Sequence, residues 1–185
     1  MSGVRSIDSL VKQMPRDGSV VGQKPFAIIL GCSDSCVPAE IIFDQGLGNL
    51  FVIRVAGNIV APSQIGRVEF AVEEFGTPLV VVLGHSRCGA VMATLRAIEQ
   101  SSDEKSSNLL SIVSRIRPSV ELLLETDLRN DAGQLMKTAI RSNTLASSNN
   151  LRHGARLLEQ LILDGSLTIL AAEYSLETGV VEFIS

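Results

Sequence analysis

The segment Phe26-Ala-Ile-Ile-Leu-Gly-Cys-Ser-Asp-Ser-Cys36 joins an apolar, β-branched run directly to two thiols and a carboxylate. A second segment, Leu79-Val-Val-Val-Leu-Gly-His-Ser-Arg-Cys88, joins a similar run to an imidazole and a thiol. Runs of this kind are typical of the buried strands of a parallel sheet. In open α/β sheets, ligands bind outside the carboxyl ends of the strands. The two segments therefore predict both the fold and the place of its site.

Apolar runs alternate with helical patterns along the rest of the chain. The predicted strands cover residues 26–30, 50–54, 78–83, 167–171 and 180–184. This alternation predicts one α/β domain over residues 25–185, with a mostly parallel sheet of about four strands flanked by helices. Glu177-Thr-Gly179 predicts a turn that returns a last strand antiparallel to its predecessor. Residues 1–24 are polar and are interpreted as an N-terminal arm with a short helix.

Helix boundaries follow from capping residues. Ser63 is a plausible N-cap for a helix that ends at Gly76, and another helix is expected from near Cys88 to Gln100. Residues 101–108 are expected to form an exposed connection. Residues 109–163 have a helical pattern, with interruptions expected at Pro118 and around residues 147–150.

The composition excludes several classes of protein. The chain has 16 basic and 20 acidic residues and a formal net charge of −4, which argues against a nucleic acid or an anionic membrane as partner. No stretch approaches the roughly 20 apolar residues of a membrane span, and residues 1–16 lack the apolar core of a secretion signal. We therefore expect a soluble cytoplasmic protein that acts on a small molecule.

Cysteine and histidine are concentrated in the two strand-end segments. Of three cysteines and two histidines, only His153 lies elsewhere. Zn²⁺ binds thiolate and imidazole in tetrahedral geometry, and a catalytic site keeps one position open for water. A metal site is the favoured interpretation, and small buried cysteines with a hydrogen-bonded histidine are the alternative. Three cysteines cannot all pair, so reduced thiols are expected.

Three sequence blocks occur in a fixed order along the chain. They are Gly31-Cys-Ser-Asp-Ser-Cys-Val-Pro-Ala-Glu40, Gly48-Asn-Leu-Phe-Val-Ile-Arg-Val-Ala-Gly-Asn58 and Gly84-His-Ser-Arg-Cys-Gly-Ala90. Together they resemble the β-class carbonic anhydrases. The resemblance implies Zn²⁺ held by Cys32, His85 and Cys88, with water or hydroxide in the fourth position. The reaction it implies is the reversible hydration of carbon dioxide to bicarbonate.

The resemblance also implies roles for single residues. Asp34 would accept a hydrogen bond from the zinc-bound water. Gln23, supplied by a neighbouring subunit, would bind substrate, and Gly89, which also suits close packing, is assigned to the same site. Phe51 and Phe70 would line an apolar pocket for carbon dioxide, although plain core packing fits them equally well. A homodimer, or an oligomer built from dimers, is implied as well.

Cys36 departs from the family signature. Members carry an arginine at this position, which holds the aspartate away from zinc in a bidentate charged pair. A cysteine cannot form this pair, so Asp34 would be free to become a fourth zinc ligand in a closed, inactive site. Arg87 is a candidate replacement, although we favour an ordinary exposed role for it, and Arg54 is expected to hold the active-site loop.

Three functions are therefore open. The first is a carbonic anhydrase-like zinc lyase, altered or weakened by Cys36. The second is the hydrolysis of carbonyl sulfide or carbon disulfide, and the third is a non-catalytic zinc-binding homologue that acts as a structural or interaction subunit. The intact metal ligands favour the enzymes, whereas the missing arginine favours the third function.

Overall fold

A five-stranded sheet forms the centre of the molecule in the computed structural model, which describes residues 23–100 and 106–185. The strands are β1 (Ala27–Gly31), β2 (Leu50–Arg54), β3 (Leu79–His85), β4 (Thr168–Tyr174) and β5 (Val181–Ile184). Their order across the sheet is β2-β1-β3-β4-β5. The pairs β1–β2, β1–β3 and β3–β4 are parallel, and β4–β5 is antiparallel. The predicted fold class is confirmed.

Helices connect the strands and cover the sheet. They are α1 (Ala39–Ile42), α2 (Pro62–Phe75), α3 (Gly89–Gln100), α4 (Ser107–Val120), α5 (Ala132–Arg152) and α6 (Arg156–Leu163), with short 3₁₀ turns at Ala56–Asn58, Glu121–Glu125 and Asp127–Asn130. None of the helices in the described part of the chain combines the length and apolar character needed to cross a bilayer.

The side chains of β1 alternate between two apolar clusters, because successive residues of a strand point to opposite faces. Ile28 and Leu30 pack with residues of α2 and α6 on one face, and Ala27 and Ile29 pack around Ala39 of α1 on the other. A third cluster lies beyond the carboxyl ends of the strands, where α3, α4 and α5 surround Cys32 and Cys88. The sulfur atoms are thus enclosed by helices at the predicted edge of the sheet.

The predicted turns at two glycines are confirmed. Gly76 ends α2 in the left-handed region, with φ 64°, and Gly179 has φ 72° in the turn between β4 and β5. A residue with a Cβ is disfavoured in this conformation, so glycine suits both positions. The predicted strand boundaries hold to within a few residues. The predicted N-terminal helix lies outside the described residues.

Four helix predictions were wrong. Helix α2 begins at Pro62 with Ala61 as N-cap, because the fixed φ of proline suits the first helical turn, and the hydroxyl of Ser63 contacts Gln64 instead. Helix α4 continues past Pro118 to Val120 before it tightens into a 3₁₀ turn, and residues 107 and 108 already belong to it.

The expected interruption at residues 147–150 does not exist, since α5 runs unbroken from Ala132 to Arg152. Ser147 and Ser148 are only 4% and 1% exposed. These small polar side chains allow close packing on the inner side of a helix, a role that the sequence alone does not distinguish from a loop.

Candidate metal centre

Four side chains from two segments of the sequence meet at the carboxyl edge of the sheet. Cys32 follows β1, His85 ends β3, Cys88 precedes α3, and Asp34 lies in the loop after β1. One ligand atom from each lies within 4.8 Å of the other three. The adjacent parallel strands β1 and β3 bring the two sequence segments together, as predicted. Cys32, His85 and Cys88 are each 1% exposed.

The separation of the two sulfur atoms fits a shared metal ion. Sγ of Cys32 lies 3.9 Å from Sγ of Cys88. A disulfide needs about 2.0 Å, whereas two zinc–sulfur bonds of about 2.3 Å at the tetrahedral angle place their sulfurs about 3.8 Å apart. Both cysteines are free. The pair therefore has the spacing of two ligands.

His85 presents its Nε2 atom to the same cluster. Its Nδ1 lies 2.9 Å from the carbonyl oxygen of Ser86. A carbonyl only accepts, so Nδ1 carries the proton and Nε2 keeps a free lone pair, as in many metal-binding histidines. Nε2 is buried and has no hydrogen-bond partner. Because a buried polar atom without a partner is costly, a metal ion is the natural partner for this atom.

Asp34 lies where a fourth ligand would lie. Its Oδ2 is 3.3 Å from Nε2 of His85 and accepts a hydrogen bond of 3.3 Å from the backbone N–H of Gly89. Two ligands with bonds of about 2.0–2.1 Å at the tetrahedral angle are about 3.3 Å apart. The donor set of two sulfurs, one imidazole nitrogen and one carboxylate oxygen therefore fits Zn²⁺ in a closed, four-coordinate arrangement.

The electrostatics of the cluster favour a cation. The hydrogen bond with Cys88 lowers the pKa of the Cys32 thiol to about 3, and His85 adds to this effect. The same hydrogen bond and burial raise the pKa of Cys88. Burial lowers the pKa of His85, but the nearby Cys32 sulfur outweighs it and raises this pKa overall. A divalent cation would let both sulfurs be thiolates beside a neutral imidazole.

Arg54 holds the loop that carries Cys32 and Asp34, as expected. Its Nε donates 3.0 Å to the carbonyl of Cys32, and its Nη2 donates to the carbonyl of Asp34. The guanidinium thus fixes the backbone of the loop, while the Asp34 carboxylate is left to the cluster. The expected role of Arg54 in holding this loop is therefore seen in its hydrogen bonds.

Neither Cys36 nor Arg87 lies in the cluster. Cys36 is exposed, and Arg87 forms an ion pair with Glu177. Within residues 23–100 and 106–185, His85 is the only basic side chain with a nitrogen within 4.0 Å of the Asp34 carboxylate. No arginine or lysine of that part of the chain therefore holds Asp34 away from the metal position.

The residues assigned to the substrate site lie in separate places. Gly89 contacts Asp34, but Gln23 precedes the amino end of β1, whereas the cluster follows its carboxyl end. Phe51 pairs with Ile28, roughly 13 Å along β1 from Cys32. Phe51, Phe70 and Phe75 form an aromatic cluster with ring centroids 5.8–6.2 Å apart. Within one chain, only Gly89 of these four residues is beside the metal ligands.

Several residues that were not predicted from the sequence form hydrogen bonds to the cluster or to its loops. The backbone N–H of Gly57 donates to Sγ of Cys32 at 3.3 Å, and the side chain of Asn143 donates to the carbonyl of Gly57 at 2.9 Å. The hydroxyl of Ser86 donates to Glu177 at 2.7 Å. Gly57 lies in the second sequence block, but no pattern in the sequence links Asn143 or Glu177 to the metal site.

The chain is similar to known proteins along most of its length. A family model described as carbonic anhydrase matches residues 27–181. Carbonic anhydrase 2 of Mycobacterium tuberculosis is 39% identical over 164 residues, which covers 89% of this chain and 76% of the relative. The carbonic anhydrase of Mycolicibacterium smegmatis is also 39% identical over 164 residues. The match covers 88% of this chain and 76% of the relative.

Solved structures show the same fold. The β-carbonic anhydrase CcaA has a TM-score of 0.80 and 26% identity, covering 96% of this chain and 82% of that one. A tetrameric β-carbonic anhydrase of Sordaria macrospora shares the fold, with a TM-score of 0.78 at 23% identity. The match covers 90% of this chain and 83% of that chain.

Proposed function

The chain belongs to the β-class carbonic anhydrase family, and from this premise we propose that it is a zinc-dependent lyase that interconverts carbon dioxide and bicarbonate, with a resting site closed by Asp34. The observation that carries the proposal is the cluster of two sulfurs, one imidazole nitrogen and one carboxylate oxygen within 4.8 Å of one another.

Cys32, His85 and Cys88 would hold the metal. Their burial, the free lone pair of His85 Nε2 and the sulfur–sulfur distance of 3.9 Å support this role. When bound, Zn²⁺ supplies Lewis-acid activation of a water molecule near neutral pH, which is the chemistry that carbon dioxide hydration needs. The chain would supply the orientation of the reactants around it.

Asp34 would have two positions. In the arrangement described above, its Oδ2 lies at ligand distance from the Nε2 of His85. Turned away from that position, the carboxylate would accept a hydrogen bond from the reacting water and orient its lone pair towards carbon dioxide. The N–H of Gly89, which donates to Oδ2, would then position the carboxylate. Only the second position leaves space for the reacting water beside the metal ligands.

Cys36 would bias Asp34 towards the closed position. The resemblance places an arginine here, and a bidentate arginine–carboxylate pair has two charge-assisted hydrogen bonds of about 1.5–3 kcal/mol each. About 1.4 kcal/mol is enough for a tenfold shift between the two positions. The exposed thiol of Cys36 supports the proposal, because it offers no such pair. We therefore expect activity below that of a site with the arginine.

The substrate pocket would be completed by a second subunit. Phe70 on α2 is 52% exposed, and its ring lies 6.2 Å from that of Phe51 on β2, an edge strand of the sheet. An exposed aromatic surface beside an edge strand suits a symmetric dimer contact. Gln23 and these rings, distant from the metal ligands of their own chain, would in this dimer line the pocket of the neighbouring subunit.

A non-catalytic zinc-binding homologue is the second candidate function. The position of Asp34 at ligand distance favours it, since a permanently closed site has no place for a reacting water. In that case zinc would stabilise the fold without turning over substrate.

The test is stopped-flow carbon dioxide hydration on protein of measured zinc content, compared with Cys36→Arg. We expect the native protein to be at least tenfold slower than Cys36→Arg at equal zinc content. Cys36→Ala and Cys36→Lys are matched controls that remove the thiol without supplying the two-pronged donor, and neither should gain activity. High native activity without gain in Cys36→Arg would refute the role of Cys36. Full zinc occupancy with no turnover in either protein would establish the non-catalytic function.

A further inference from the structure

The sulfur of Cys32 accepts a hydrogen bond from the backbone. The donor is the N–H of Gly57, 3.3 Å from Sγ in the buried interior. A hydrogen bond to a thiolate withdraws electron density from the sulfur, so a metal bound to that sulfur receives less charge and is a stronger Lewis acid. Whatever fixes the direction of this N–H therefore acts on the metal.

Asn143 holds the next peptide group, on the other side of the Gly57 Cα. Its Nδ2 donates 2.9 Å to the carbonyl oxygen of Gly57. Asn143 lies in the middle of α5 and is 2% exposed. A buried amide needs partners for its donors, so this side chain is committed to Gly57 rather than to solvent.

The surroundings leave Gly57 little freedom. Gly57 has φ 66°, and a Cβ at this position would lie 2.7 Å from Cδ1 of Ile116 and 3.1 Å from Cβ of Ala90. Only glycine fits this conformation and this space. The Cα that joins the two peptide groups is thus enclosed by α3 and α4, and the carbonyl that follows it is held by α5.

We propose that Asn143 is a positioning residue for the Cys32 thiolate. By holding the carbonyl of Gly57 it restrains the peptide that follows this residue and so fixes the Cα of Gly57, from which the N–H of the preceding peptide points at Sγ. It thereby lowers the electron donation of the sulfur to the metal. This inference rests on the proposed metal site and deepens it, because it assigns the tuning of one ligand to a helix far away in the sequence.

The test is the absorption spectrum of the protein with Co²⁺ in place of Zn²⁺. Loss of a hydrogen bond raises the energy of the sulfur lone pairs, so the thiolate-to-cobalt charge-transfer band should move to lower energy in Asn143→Ala. A purely structural role would lower stability without moving this band. Asn143→Leu keeps a similar volume and has no donor, and it should show the same shift if Asn143→Ala does not fold.

Leu151→Val is the matched control. Leu151 lies on the same helix and is 0% exposed, but it packs in the apolar cluster of Ile28 and Leu30, which contains neither Cys32 nor Cys88. The substitution removes packing away from the metal ligands, so the band should stay in place. An unmoved band in both Asn143 variants at one cobalt per chain, or an equal shift in Leu151→Val, would overturn the inference. If the native protein binds no cobalt through thiolates, the metal site itself fails, and the inference fails with it.

Discussion

Nε of Arg87 lies 2.7 Å from Oε1 of Glu177. Arg87 has φ 60°, and its ion pair places the guanidinium on the turn before β5. Glu177 also accepts a hydrogen bond from the hydroxyl of Ser86. Arg87 therefore belongs to the link between the His85 loop and this turn, and its guanidinium pairs with Glu177 rather than with Asp34.

This link predicts a pH-dependent contribution to stability. The hydrogen bond from Ser86 and the charge of Arg87 hold the pKa of Glu177 below its usual value. A lowered folded-state pKa means that the carboxylate stabilises the fold above its unfolded-state pKa, and that this contribution disappears as the pH falls through the folded-state value. Glu177→Gln should therefore be less stable than the native protein at pH 6, and the difference should vanish in strong acid.

Urea unfolding at a series of pH values measures this difference. Glu74→Gln is the matched control, since Glu74 is an exposed helical carboxylate with no ion pair among the described residues. A stability difference for Glu177→Gln that is constant across the whole pH range would contradict the assignment.

Zinc retention should depend on Cys88 and be indifferent to Cys36. Elemental analysis of the native protein should give about one zinc per chain, and Cys88→Ala should lose most of it, because a buried thiolate ligand is removed. Cys36→Ala removes the same chemical group from an exposed position and should keep its zinc. Full zinc content in Cys88→Ala would show that the ligand assignment is wrong.

Arg54 should matter for metal affinity more than for folding. Arg54→Leu removes both hydrogen bonds to the carbonyls of Cys32 and Asp34, and supporting contacts of this kind are worth roughly 10–100-fold in metal affinity. Competition with a chelator measures the change. Arg67→Leu, at an exposed position of α2, should leave the affinity unchanged, and equal affinities in both variants would rule out the role of Arg54.

The aromatic surface around Phe70 predicts a dimer. Sedimentation velocity should show a dimer at micromolar concentration, and Phe70→Asp should shift it to monomer, because a charge would replace a half-exposed ring in the contact. Gln23→Ala should keep both dimer and zinc while lowering catalysis. A well-folded native monomer at these concentrations would refute the shared pocket.

Gly84 should be intolerant of a side chain, whereas Gly31 should tolerate one. A Cβ on Gly84 would lie 2.1 Å from Oγ1 of Thr144, but a Cβ on Gly31 meets nothing within 4 Å. Overpacking of this kind costs about 1–3 kcal/mol or more, so Gly84→Ala should lower the free energy of unfolding by this amount. Thr144→Ala in the same chain should recover part of the loss, and thermal unfolding with Gly31→Ala as control measures both.

The sequence predicts the sheet, and the clustering of Cys32, Asp34, His85 and Cys88, because both depend on short local patterns. An apolar run marks β1 or β3, and parallel pairing of adjacent strands brings their ends together, so Cys32 and His85 meet without further information. The course of α5 through Ser147 and Ser148 is not predictable in this way, since burial of these serines depends on the elements packed against them. The contact of Asn143 with Gly57 spans 86 residues and is visible only in the folded chain.

The candidate ligands come from distant points along the chain. Cys32 and Cys88 are 56 residues apart, and the crossover between their two parallel strands contains β2 and α2. Contacts of such high sequence separation form slowly, because the entropy of loop closure is lost before they contribute. On the ribosome, the first cysteine would emerge long before its partners, so metal capture would be a late event that fixes a nearly finished fold.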